Sequence, residues 1–129
     1  MDHNTITPNE NFLRSAAQGN TASLGNALKD GANANSLTPD GDNALHLACA
    51  FGHADLITTL LDAGTNPNAK NKEGLTPAHE AVINIRPRCL GQLLKSSKLD
   101  LRVEDSKGLT AQQTAVRSLQ PLKEAGYAR

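Results

Sequence analysis

Apolar residues recur at Leu45, Ala48 and Cys49, a Gly52-His53 break interrupts them, and a second stripe follows at Leu56, Ile57, Leu60 and Leu61. Both stripes keep the spacing of one helix face, so the pattern predicts two short amphipathic helices joined by a tight turn. Gly64 closes the second helix where a left-handed residue is needed, and Asn66-Pro67-Asn68 leads the chain out extended, because proline disfavours helix in the residue before it.

The pattern then returns. Gly41 falls over Gly74, His46 over His79, Ala48 over Ala81 and Leu60-Leu61 over Leu93-Leu94, at an offset of 33 residues. Thr76-Pro77 reads as a helix start: the threonine hydroxyl accepts from an orphan backbone donor, and proline at the first helical position gives up an N–H that had no partner. One such unit cannot bury both of its stripes. Its neighbours must supply the opposing wall.

A 33-residue period carrying Gly74-Leu75-Thr76-Pro77-Ala78-His79-Glu80-Ala81 resembles the ankyrin repeat. The resemblance covers about residues 5–129 and implies an all-α solenoid of stacked helix-turn-helix units with short extended turns. On that frame residues 1–129 form a single domain with units at about 5–37, 38–70, 71–104 and 105–129. The first unit reads as an N-terminal cap. It opens on Thr7-Pro8-Asn9-Glu10, a capping box, and carries Arg14, Gln18 and Asn26 on a polar outer face.

The second unit has Asn43-Ala44 in place of Thr-Pro, with asparagine an equally good cap. The third replaces the inter-helix Gly-His by Ile85-Arg86-Pro87. Proline fits the first turn of the second helix, but the missing glycine puts the usual tight turn in question. From Gly74 to Gly108 the spacing is 34, so one residue is inserted, assigned to the loop from Ser96 to Glu104. The fourth unit opens with a Thr110/Gln113 capping box and is expected to hold one full helix and a partial second one after Pro121.

Aromatics make up only 2% of the chain and tryptophan is absent, which argues against a deep aromatic-lined cofactor pocket. Charge balances overall at 13 against 13, yet residues 1–70 carry three basic and seven acidic side chains and residues 71–129 ten and six. Exposed charges farther apart than about 10 Å are largely screened at physiological salt, so this polarity steers partners at most. No run of 18 apolar residues and no apolar N-terminal segment occurs, so neither a membrane span nor a cleaved signal is expected. Cys49 and Cys89 are isolated in the sequence and fall on apolar helix faces. They read as small, buried, slowly reacting residues of an intracellular, cytoplasmic protein, the alternative being a disulfide or redox role.

His46 and His79 share one position of the unit, which raises a metal reading. No cysteine or carboxylate joins them at ligand spacing, and the resemblance implies a structural histidine bonded near the helix cap and the next turn. His53 receives the same structural reading. Asn35 and Asn68 occupy the position that asparaginyl hydroxylases modify in some family members, beside the plainer reading of a turn residue. There is no phosphate loop, nucleophile elbow or His-Glu-x-x-His, so no catalysis, cofactor or metal is expected.

The resemblance implies a protein-binding module, adaptor or inhibitor, that is a monomer and recognises a partner protein through its concave face and turn tips. Carried onto matching positions, the binding residues are Asp40, Asp42, Ala50 and Phe51, then Lys72, Glu73, Leu75, Ile83 and Asn84, then Ser106, Lys107, Leu109 and Arg117. Phe51, Leu75 and Ile83 are expected as its apolar centre, with Phe51 tucked between units as the other reading. The rival surface is the basic second helix of the third unit, with Arg86, Arg88, Lys95 and Lys98, as a scaffold or anionic-surface binder. Without interleaved aromatics it is a poor match to nucleic acid.

Overall fold

The computed structural model describes residues 6–118, with side chains as far as Val116. Seven helices and no strands occur among them: α1 (Pro8–Gln18), α2 (Thr21–Lys29), α3 (Ala44–Phe51), α4 (Ala54–Asp62), α5 (Pro77–Ile83), α6 (Pro87–Leu93) and α7 (Ala111–Ser118). α1, α3, α5 and α7 pack in sequence as one row, and α4 packs on α6 behind it. This is a helical solenoid of stacked antiparallel pairs. The partial helix expected after Pro121 lies outside the described residues.

Helix starts follow the capping chemistry. Thr7, Asn43 and Thr76 each accept from the backbone N–H three residues on, and the third-residue side chain returns the bond to the cap's own N–H. Thr110 and Gln113 exchange the same pair of bonds at 3.2 and 2.9 Å. Histidine does this in the middle units and then reaches further. His46 Nδ1 accepts from the Asn43 N–H at 3.0 Å while its Nε2–H donates to the Leu75 carbonyl at 2.7 Å, which fixes the neutral Nε2–H tautomer. His79 repeats the reach to Leu109, also at 2.7 Å. Each histidine thus ties its helix start to the next turn, and no buried side-chain nitrogen or oxygen among the described residues is left without a partner.

The core runs unbroken through the stack from Phe12, Leu24 and Ala27 through Leu45, Leu56, Ile57 and Leu60 to Leu93 and Ala111. It is built mainly from alanine and leucine, with Ile57, two cysteines and one aromatic, so the helices approach closely and large-to-small substitutions leave voids that neighbours cannot fill.

The inter-helix turn of the third pair departs from expectation in an instructive way. The missing glycine does not abolish the turn: Ile85 itself takes the left-handed conformation at φ 55, beside Gly19 at φ 74 and Gly52 at φ 80. The closing bond is the same in all three turns, from Asn20 to Ser15, His53 to Ala48 and Arg86 to Ala81, at 3.0, 2.8 and 2.7 Å. Arg86 also replaces His53 in function. His53 Nε2 bonds to the Ala17 carbonyl at 2.9 Å, and one unit later the Arg86 guanidinium donates twice to the Ala50 carbonyl at 3.3 Å.

Asn35 and Asn68 do more than form turns. Asn35 donates to the Gly64 carbonyl at 3.0 Å and accepts from the Asn66 N–H at 2.7 Å, and Asn68 makes the equivalent bonds to Lys98 and Asp100 at 2.8 and 2.7 Å. These bridges locate the extra residue. Leu93 is buried as Leu60 is, 33 positions on, whereas Lys98 matches Gly64 at 34, so the insertion lies between Leu93 and Lys98.

Candidate functional site

Three turns project from the helix stack, and each is built on one plan. The first residue's N–H donates to the fifth residue's carbonyl, from Thr38 to Asp42, Asn71 to Leu75 and Asp105 to Leu109, at 2.9, 3.0 and 2.8 Å. The first side chain closes the loop from inside. Asn71 Oδ1 accepts from the Glu73 and Leu75 N–H groups, both at 3.0 Å, and Asp105 Oδ1 from Lys107 and Leu109, both at 2.9 Å. Those bonds hold the Asp105 carboxyl below the usual range.

Neighbouring tips bind each other. The Lys72 N–H donates to the Asp40 carbonyl at 3.1 Å and the Ser106 hydroxyl to the Glu73 carbonyl at 3.0 Å. Glycine is required at Gly74, because a Cβ there would lie 2.7 Å from the Ser106 nitrogen. The side chains of Asp40, Lys72, Glu73, Ser106 and Lys107 stand exposed along this row.

Behind the second and third tips lies an open groove of about 620 Å³, whose lining includes Leu75, Ile83 and Leu109 with Glu73, Ser106 and Lys107. Ile83 is 48% exposed there. Phe51, at 55% exposed, is not a core residue, but it does not line this groove; the expected triad of Phe51, Leu75 and Ile83 is divided. Ala50 is half-buried and spends its carbonyl on Arg86. Asn84 caps the end of α5 and donates to the Glu80 carbonyl at 2.8 Å. Asp42 accepts from the Asn71 amide at 2.9 Å. The side chain of Arg117 lies outside the described residues.

Glu80 was not among the sequence candidates. It occupies in α5 the position of Leu47 in α3, half-buried, with its carboxylate held by the Asn71 and Asn84 amides at 3.4 and 3.1 Å. Burial raises its pKa first, and the nearby charges of Asp42 and Glu73 add to this. Its signal in the sequence was the polar residue at a repeat position that is apolar one unit earlier.

The cysteines are not isolated in space. Cys49 on α3 and Cys89 on α6 are free thiols, 0% and 1% exposed, and they lie beside each other where α6 packs on α3. The neighbouring thiol and burial push Cys49 up as an acid, while the charges of Arg86 and Arg88 act on Cys89 in the opposite sense. Both are core residues, as the sequence reading expected, with Arg86 and Arg88 close to Cys89.

On the other row, Arg88, Lys95 and Lys98 are exposed, whereas Arg86 is committed to Ala50. No helix among the described residues is long and apolar enough to cross a membrane, and no group of three or more potential metal ligands occurs among them.

Tandem capped helix pairs whose turn tips bind each other, with a groove beside them, define a helical-repeat protein. The comparisons agree: a family model described as ankyrin repeats in three copies matches residues 12–105. The chain belongs to the ankyrin-repeat family, whose repeats generally mediate protein–protein interaction through a non-catalytic fold. It is 36% identical over 101 residues to the mouse inactive serine/threonine-protein kinase TEX14, covering 78% of this chain and 7% of that protein. Mouse Rabankyrin-5 is 38% identical over 71 residues, 55% of this chain and 6% of the relative. The Drosophila melanogaster nuclear factor NF-kappa-B p110 subunit is 46% identical over 67 residues, 52% of this chain and 7% of its own length. The chain thus spans under a tenth of these relatives.

Proposed function

We propose that this protein is a non-catalytic adaptor or inhibitor that works as an intracellular monomer and holds a partner protein against the groove behind the second and third turns. The observation that carries the reading is Ile83, a large aliphatic side chain left 48% exposed beside Leu75 and Leu109. An apolar centre with a charged rim is the arrangement in which desolvation supplies affinity and the rim selects the partner. Glu73 and Asp105 outnumber Lys107 in the groove's lining, and the nearby Asp42 and Glu80 carboxylates are held by asparagine amides. The reading therefore extends to a partner segment with an apolar anchor and a basic neighbour.

Site-specific photo-crosslinking tests this in the source cell. A crosslinker replacing Ile83 captures a defined protein, and one replacing Arg88 on α6 does not. Capture from Arg88 alone contradicts the groove and transfers the function to the basic helix.

A further inference from the structure

One feature of the stack serves neither the fold's hydrogen-bond scheme nor the groove. The two thiols meet at a junction between the second and third pairs, where Cys89 Sγ also donates to the Ala48 carbonyl at 3.8 Å. Beside it opens a cavity of about 210 Å³ lined by Gly52, Ile85, Arg86, Pro87, Arg88 and Cys89. Cys89 thus borders a space that a molecule little larger than water can enter. Cys49 does not line that space and stands behind Cys89.

We propose that Cys89 and Cys49 form an oxidisable pair, in which a peroxide entering this cavity oxidises Cys89 and Cys49 then closes a disulfide that staples α3 to α6. In the first step the Cys89 thiolate attacks one peroxide oxygen. An S–O bond forms, the O–O bond breaks, and the leaving hydroxide takes a proton from solvent, giving sulfenic acid and water. In the second step the Cys49 sulfur attacks that of Cys89. The S–S bond forms, the S–O bond breaks, and hydroxide leaves with the Cys49 proton as a second water. Two thiols and one peroxide become one disulfide and two waters.

The roles follow from the surroundings. Cys89 borders the cavity with Arg86 and Arg88 in the same lining, and cationic surroundings favour the thiolate an attacking sulfur needs. Cys49, fully buried and outside that lining, is shielded from the peroxide and acts in the second step. Because the bond joins helices of adjacent pairs, it fixes the register of their stacking without touching the groove.

The test uses the full chain and hydrogen peroxide in the absence of denaturant, read by intact mass and by alkylation after unfolding. The expected result is loss of two hydrogens, two thiols protected from alkylation, a raised melting temperature, and reversal of all three by dithiothreitol. Cys49→Ala stops at a sulfenic acid that dimedone traps on Cys89, and Cys89→Ala leaves Cys49 unreactive. Three results overturn the proposal: no disulfide in folded wild-type protein, a disulfide that links two chains, or first oxidation at Cys49. Should either variant fail to fold, the wild-type chain decides alone. Oxidation whose rate rises in step with added denaturant marks reaction through the unfolded chain and sinks the proposal, and a rate independent of low denaturant supports it.

Discussion

Ile85 is the residue at which this chain departs most from what its backbone prefers. A β-branched side chain at φ 55 costs about 1–3 kcal/mol, and Ile85 recovers none of it by burial, being 81% exposed. Glycine there removes the strain, offset by about 0.5–1 kcal/mol of added freedom in the unfolded chain. Ile85→Gly is therefore expected to stabilise by about 1 kcal/mol, seen as a higher denaturant midpoint at unchanged slope. A lower midpoint would show that Ile85 holds contacts its exposure does not reveal. His46 makes the second residue-scale prediction. Burial lowers its pKa below the ordinary 6.5, so above that pH neither state binds the proton. As pH falls through 6.5 the unfolded chain protonates first, and stability declines until the folded value is reached. Gln113 already fills the same capping position in α7, so His46→Gln keeps the cap while removing the titration. Stability measured from about pH 7 to about pH 5 should fall less steeply in the variant, and identical slopes would assign the acid loss to other groups.

At the scale of elements, stability resides in contacts between pairs. Leu60 on α4 is fully buried in the core that runs from pair to pair, and Leu60→Ala should cost about 2–5 kcal/mol by thermal or denaturant unfolding. A cost below about 1 kcal/mol would mean that the stack collapses around the void. The helices and their caps were legible because each depends on residues within four positions: Thr76-Pro77 and Asn43 announce their helices locally. What sequence could not disclose depends on register between pairs. Arg86 does the work of His53 although the two share no motif, because any donor long enough to reach the Ala50 carbonyl suffices there. Cys49 and Cys89 are 40 positions apart and meet only because α6 packs against the preceding pair. The groove was half legible. The repeat frame brought Leu75, Ile83 and Leu109 into it, yet the same frame joined Phe51 to them, since a shared repeat position gives no measure of distance from one unit to the next.

Across the whole molecule, the stack converts a weak unit into a continuous surface, with turn tips tied in series and a groove opening beside them. Among the described residues, acidic side chains outnumber basic ones as far as Lys70 and basic ones outnumber acidic ones beyond it, which polarises that surface along its length. In the proposed function such charge orients an approaching partner and weakens with salt, whereas the apolar centre sets how long it stays. The most direct measurement is the affinity of Ile83→Ala for the partner captured from that position, taken together with its melting temperature. The account predicts binding weaker by about 2 kcal/mol at an unchanged melting temperature. Undiminished affinity, or a lowered melting temperature with binding intact, would contradict it.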